Sequence, residues 1–400
     1  MTTEPAGQRV ARPPTEFLSA KIRSLQPSGI RRFFDMLAEM KDVISLTIGE
    51  PDFTTPEPIT RAAIASLEAG ETHYTANGGM LELRGAIVAD LANRYRITYE
   101  PRTELDITVG ASEAVDATLR AICYQGDEVI YHEPSFVAYA PCITLAGGVP
   151  VPIATGDEHD FEITAAQVEA AITPRTKALF LGYPNNPTGA VLDRNELERI
   201  AAVIERHDLM VVSDEIYERL VYGGHEHVPF SALPGMRDRT VLIGGFSKSY
   251  AMTGWRIGWV AAPDPIMVGI AKVHQYGIMC APTVAQFAAL EALRIGEPFV
   301  RDMHDEYDRR RQLMVRRFNE IGLHCFEPRG AFYCFPNITR TGMDDETFAR
   351  TLLAEERVAV VPGTAFGPSG AGHVRACYAT AYEEIVEAMD RIGRFVERHA

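Results

Sequence analysis

From Pro58 to Leu293, helical stretches alternate with short apolar runs, and this alternation constrains the fold more than any other feature of the 400 residues. The runs are DITVG (106–110), DEVIYH (127–132), VPVPI (149–153), KALFLGYP (177–184), LMVVSDEIY (209–217), TVLIGGFSK (240–248) and GWRIGWVAA (254–262). Short apolar runs separated by helical periodicity belong in a mostly parallel sheet with helices on both faces. The expected fold class is therefore α/β. Ligands in such sheets lie off the carboxyl ends of the strands. The polar groups of this stretch fall there, directly after DITV, LFLG, LMVVS and TVLIG.

The flanks read differently. Residues 1–16 are polar and proline-containing and are expected as a flexible tail. SGIRRFFDMLAEM (28–40) reads as a short amphipathic helix, and VISLTIGEPDF (43–53) as a strand breaking into a Gly/Pro turn. After Leu293 come a long charged helix (301–322), GAFYCFP (330–336), a helix near 344–356, VAVVPG (358–363), HVRACYA (373–379) and a closing helix. Segments 17–57 and 294–400 are thus expected to form one small α+β domain from both chain ends. The large domain is expected at 58–293.

Charge and cysteine content narrow the function. A net charge of -15 argues against a nucleic-acid partner, because phosphate backbones require clustered Lys and Arg. Cys123, Cys142, Cys280, Cys325, Cys334 and Cys377 form no CxxC pair, so core thiols in a reducing compartment are expected rather than disulfides or zinc ligands. His225 and His227 in GGHEHVP lack a third ligand and read as a solvated loop, leaving no metal site. The start lacks the apolar core of a secretory signal, and no apolar run approaches the roughly 20 residues that a membrane helix needs. The cytoplasm is the expected location.

Lys248 alone reads as a surface lysine, since lysines are mostly exposed. Its company alters that: Arg256 follows eight positions on, beside Trp255 and between glycines that permit close backbone approach. An amine and a guanidinium together suit an aldehyde that carries a phosphate. Asp214 ends an apolar strand, where a carboxylate must be paired or face a site, and a pyridinium nitrogen would pair it. Tyr217 faces the same place if the strand gives way to a turn; packing is its plainer role. Asn186, in the irregular turn NNPTG, reads either as part of a plain β-turn or as a side-chain donor toward a ring oxygen, with a cis bond expected before Pro187 as an aiming device in the second case. Gly110, Ala111 and Ser112 lie where a strand feeds a helix, so free amides and the helix dipole favour a phosphate. Arg375 is a charge inside an apolar strand, which suits either a structural salt bridge or bidentate pairing with a substrate carboxylate.

Taken in order, IGEPDF, YTANGGMLELR, NNPTG, SDEIY, FSKSYAMTGWRIG, GAFY and the Arg375 strand resemble the class I and II aminotransferases, enzymes of fold-type I that depend on pyridoxal 5'-phosphate (PLP). The likeness spans nearly the whole chain and is closest to archaeal and bacterial aromatic or aspartate enzymes. It implies that Lys248 holds PLP through a Schiff base and acts as the general base, and that Asp214 pairs with the ring nitrogen. Asn186 and Tyr217 would then hold the ring's phenolic oxygen and Phe136 the ring face. Ala111, Ser112 and Arg256 would take the phosphate, with Tyr74 reaching across from a partner subunit of a homodimer. Gly49, Asn186 and Arg375 would receive the substrate's α-carboxylate. Gly245 departs from the pattern where many relatives have a phosphate-binding serine, for which Ser247 is the expected substitute. Ser112 replaces a lysine found in some aspartate-preferring relatives. The implied activity is ping-pong transfer of an amino group from an aromatic or aspartate-like L-amino acid to 2-oxoglutarate. The rivals are a PLP-dependent β-lyase or other Cα chemistry on the same residues, and a PLP-sensing regulator, which would need a DNA-binding domain ahead of the fold.

Overall fold

The structure, a computed structural model, describes residues 13–25 and 42–399. The helix expected at 28–40 lies outside them, as does the tail up to residue 12. After the short helix α1 (Ala20–Ser24) and the two-residue strand β1 (Ile44–Ser45), the chain enters α2 (Glu57–Glu68) and α3 (Leu81–Tyr95). The seven apolar runs then become β2 (Leu105–Thr108), β3 (Glu128–Glu133), β4 (Val149–Ala154), β5 (Thr176–Leu181), β6 (Met210–Asp214), β7 (Thr240–Gly245) and β8 (Gly258–Ala261). They form one sheet in the order β2-β8-β7-β6-β5-β3-β4. Neighbours pair in parallel from β4 to β7, whereas β8 runs antiparallel to both β7 and β2. The sheet is α/β and mostly parallel, as its run pattern requires.

Successive strand residues point to opposite faces, and both faces are covered. Phe180 and Val212 pack with Ala114, Val115 and Ile143, which come from α4 (Gly110–Ile122) and α5 (Tyr139–Ala146), and with Met267 of α8. Their neighbours Leu179 and Val211 pack on the other side with Val168 of α6 (Ala165–Ala171) and Leu197 and Ile200 of α7 (Arg194–Arg206). Here α8 is Asp264–Gly277, and α9 (Thr283–Ile295) packs with α2 and α3 beyond β2. Each such side chain, fully buried, contributes about 1.5–3 kcal/mol.

The remainder gathers around a second core. It holds α10 (Glu297–Glu320), β9 (Tyr333–Cys334), β10 (Val358–Ala359), β11 (Val361–Pro362), β12 (Val374–Cys377), α11 (Asp345–Glu356) and α12 (Tyr382–His399). Strands β11, β12 and β9 form an antiparallel sheet, and β1 pairs in parallel with β10, so the segment around Leu46 joins C-terminal elements. In α12 the buried Ile385, Ala388, Met389, Ile392, Phe395 and Val396 make one apolar stripe at helical spacing. Tyr217, Leu220 and Tyr222, just after β6, enter this second core and lock the two regions together. No helix among the described residues is long and apolar enough to cross a membrane.

Candidate active site

A cavity of about 350 Å³ opens at the carboxyl ends of β2, β5, β6 and β7, walled on its far side by Thr47, Gly49, Tyr333 and Arg375. Lys248, Asp214, Tyr217, Asn186, Phe136, Ala111, Ser112, Ser247, Arg256, Gly49 and Arg375 all line it. Tyr74 does not: it is 80% exposed and borders a separate hollow with Arg84, Thr283 and Phe287.

Lys248 follows β7 on a turn, and its Nζ donates to the carbonyl of Gly49 at 2.5 Å. Burial pulls its pKa down to about 8, opposed by Cys377 and Glu50 and helped by Arg375 and Arg256. A lysine shifted this way releases its proton far more readily than a solvated one. Asp214 ends β6 at 7% exposure, and burial pushes it up to about 6. One carboxylate oxygen accepts from Tyr139 Oη at 2.9 Å and the other from the Ile216 amide at 3.2 Å. After Asp214 the strand does break into a turn, and Tyr217 swings into the cavity, its hydroxyl 2.8 Å from that of Tyr333.

The anion-binding parts come from two places. Helix α4 starts at Gly110, with φ +74°, and brings the amides of Ala111 and Ser112 to the cavity. A Cβ at Gly110 would lie 2.5 Å from Arg256 Nη2, so only glycine lets the guanidinium approach this helix end. Arg256 donates to Thr253 O at 2.9 Å. Arg375, 3% exposed, donates to Asn186 Oδ1 at 2.8 Å and Thr47 O at 2.6 Å and lies over the rings of Tyr333 and Phe366, 4.5 and 4.8 Å from their centroids. Neither arginine has a carboxylate partner among the described residues. Two unneutralised guanidiniums, one beside a helix N-terminus, suit a phosphate and a carboxylate.

Several expectations are corrected. The bond before Pro187 is not cis; the cis bonds precede Pro134 and Pro184. The NNPTG loop closes instead through Asn185, whose carbonyl accepts from Gly189 N at 2.8 Å and whose side chain donates to Pro134 O and Thr188 Oγ1. His227 is not a solvated loop residue, because its Nε2 lies 2.6 Å from the buried Glu215. Cys142 lines the cavity, while Cys325, Cys334 and Cys377 are buried thiols. A side chain at Gly245 would press on Ile216 and Gly258, so the serine of the family pattern has no easy room, whereas Ser247 lines the cavity. Tyr139, Tyr333 and Thr47 went unnoticed in the sequence; only Tyr139, three positions after Phe136 at helical spacing, left a signal there. No group of three His, Cys, Asp or Glu among the described residues is arranged to hold a metal.

A mostly parallel sheet covered by helices on both faces, with a buried amine, a buried carboxylate and two guanidiniums that have no carboxylate partner among the described residues at its strand ends, defines a fold-type I site for a phosphorylated aldehyde. The comparisons agree. Residues 41–392 match the family described as aminotransferase class I and II. The chain is 46% identical to an aspartate aminotransferase of Pyrococcus abyssi, covering 94% of this chain and 97% of the other. It is 44% identical to aromatic-amino-acid aminotransferase 2 of Thermococcus litoralis over 95% and 98%. The solved aromatic aminotransferase of Pyrococcus horikoshii superimposes with a TM-score of 0.88 at 45% identity, covering 92% of this chain and 99% of the other. The chain belongs to the class I and II aminotransferases and is a PLP-dependent aminotransferase.

Proposed function

We propose that this enzyme moves an amino group from an aromatic or aspartate-like L-amino acid to 2-oxoglutarate in two half-reactions. The observation that carries this reading is the convergence of a buried amine, a buried carboxylate and two unneutralised arginines on one cavity. When bound, PLP supplies an aldehyde to take up the amino group and a protonated ring to accept the electrons released at Cα. In this reading Ala111, Ser112, Ser247 and Arg256 hold the phosphate, with Tyr74 contributed by the second subunit of a homodimer. Asp214 holds the ring-nitrogen proton, Asn186 and Tyr217 hold the ring's oxygen, and Phe136 covers the ring face. Arg375, with Gly49 and Asn186, orients the α-carboxylate. Lys248 Nζ, neutral in a useful fraction near pH 8, would take the proton from the substrate's Cα and, within the same half-reaction, deliver it to the carbon that had carried the cofactor's aldehyde; the second half-reaction runs these transfers in reverse.

The cations lining the cavity among the described residues are Lys248, Arg256 and Arg375, and each already has a partner in this scheme. The wall also carries Val115, Phe136, Ala138, Cys142 and Ile216 and the acidic Glu50, which favours an aromatic over an acidic donor side chain. The two cores further support a large PLP-binding domain at 58–293 and a small domain at 17–57 and 294–400.

Initial rates at varied donor and acceptor should give parallel double-reciprocal lines, with tyrosine and phenylalanine ahead of aspartate and alanine. Intersecting lines would overturn the two-half-reaction scheme. Release of pyruvate and ammonia with no acceptor present would replace it with β-elimination.

A further inference from the structure

Asp214 is held by two neutral donors and, among the described residues, by no cation within ion-pair distance. We propose that Tyr139 is a positioning residue acting through Asp214: its hydroxyl keeps the carboxylate ionised, so that the proton facing Asp214 stays on the nitrogen of the bound cofactor ring. This inference rests on the pairing of Asp214 with that nitrogen, proposed above.

The geometry is built for the hydroxyl. Tyr139 is the first residue of α5, 4% exposed, with its ring 4.2 Å from Phe180 and edge-on to Phe136 at 5.7 Å. Its Oη points at Asp214 Oδ2 across 2.9 Å. Gly182, just past β5, lies where any Cβ would collide with that hydroxyl and come within 2.8 Å of the ring, so the neighbouring strand leaves room for the whole side chain to reach Asp214. A phenylalanine would keep the aromatic packing and lose only the hydroxyl.

A proton between a carboxylate and a pyridine nitrogen rests on the stronger base. Burial raises Asp214 to about 6 and so strengthens it as a competitor for that proton; the bond from Tyr139 opposes the rise. A cationic donor would oppose it more strongly, but it would also set a second positive charge beside the pyridinium and repel it. A neutral hydroxyl lowers the carboxylate's basicity without that repulsion. Burial and the neighbouring carboxylate push Tyr139 itself well above the ordinary tyrosine value, so it remains a donor through the working range. No covalent bond changes at Tyr139; it sets only where the shared proton resides.

The test uses holoenzyme loaded with PLP that is ¹⁵N-labelled at the ring nitrogen. In Tyr139→Phe the resonance should move from the pyridinium toward the neutral pyridine position. The kcat should fall by about ten- to a hundredfold, the worth of one hydrogen bond to a charged group, while donor KM and the melting temperature stay near wild type. A wild-type ¹⁵N shift in Tyr139→Phe overturns the proposal. Gly182→Ala, whose Cβ crowds both the hydroxyl and the ring of Tyr139 and so pushes the hydroxyl off Asp214 without removing it, gives a second route should Tyr139→Phe fold poorly: a shift toward pyridine supports the role and an unmoved resonance overturns it. Asp214→Asn separates the layers. If that variant keeps the pyridinium signal, the Asp214 pairing itself falls. If it loses the signal while Tyr139→Phe keeps it, only the role of Tyr139 falls.

Discussion

Two groups of charges lie on opposite sides of the first turn of α4, and they are organised in opposite ways. On the cavity side, Lys248, Arg256 and Arg375 have only neutral oxygen partners among the described residues. On the other side, Arg84 lies 3.5 Å from Asp106, and His274 Nδ1 lies 2.6 Å from Glu113, whose second oxygen accepts from the Val109 amide at 2.5 Å. His274 Nε2 lies 2.8 Å from the carbonyl of Asn77, so its ring faces two acceptors, an arrangement that favours the imidazolium form. The second group is a closed account of charge within the protein. The first is open: it has no such carboxylate among the described residues, as the proposed phosphate and carboxylate roles require. Burial alone does not distinguish them; the presence of matched partners does.

The largest test of this contrast is Lys248→Ala. Steady-state transamination should drop by more than about 10⁴-fold, the upper range for one acid–base group, with little change in thermal midpoint. Asp214→Ala should follow, with chemistry slowed by about 10²–10³-fold and weaker PLP retention, measured by stopped-flow and by dialysis of the holoenzyme. Next, Arg375→Ala should lower kcat/KM for amino donors by about 10²-fold, since truncating one partner of a buried charged pair costs about 2–5 kcal/mol. If these variants lost stability instead of activity, the open group would have been misread.

The closed group should respond the other way. Glu113→Leu removes the acceptor of both His274 Nδ1 and the Val109 amide and should cost about 1–3 kcal/mol in denaturant unfolding, with kcat far less affected. The smallest effect is in pH. His274 is desolvated, but Glu113, Asn77 and Asp106 raise its pKa above the ordinary histidine value. A raised folded pKa gives stability that is complete below the unfolded value near 6.5 and lost as pH rises through the folded one. Stability of the wild type should therefore decline on the alkaline side, and His274→Gln should flatten that slope. Buried His132 makes the converse case: with Gly182 N donating to its Nε2, burial lowers it to about 3, and it stays neutral.

The open group was legible in the sequence for a physical reason. Lysine, aspartate and arginine at strand ends are costly residues with few structural uses, so Lys248, Asp214 and Arg256 stood out once considered together. The seven strands were equally plain because fully buried runs need no periodicity to be noticed. What stayed hidden was neutral or local. Tyr139 looks like any core aromatic until its hydroxyl is seen against Asp214. Loop closure by Asn185, and the partnering of His227 by Glu215, depend on three-dimensional neighbours that no spacing reveals. Tyr74 lies exposed on its own chain, and its proposed use depends on a second one.

One feature of the sheet reaches into engineering. Lys248 and Arg256 sit on a single excursion, residues 246–257, whose ends are fixed in the adjacent antiparallel strands β7 and β8. Thr55 pins the middle, accepting from Trp255 Nε1 at 2.9 Å and donating to Ala251 O at 2.6 Å. The excursion works as a fixed-jaw caliper, setting the span from the Lys248 amine to the Arg256 guanidinium, the proposed anchor and phosphate grip. A library seeking a new amino donor should therefore vary the wall at Val115, Ala138 and Cys142 and exchange 246–257 only as one cassette of unchanged length.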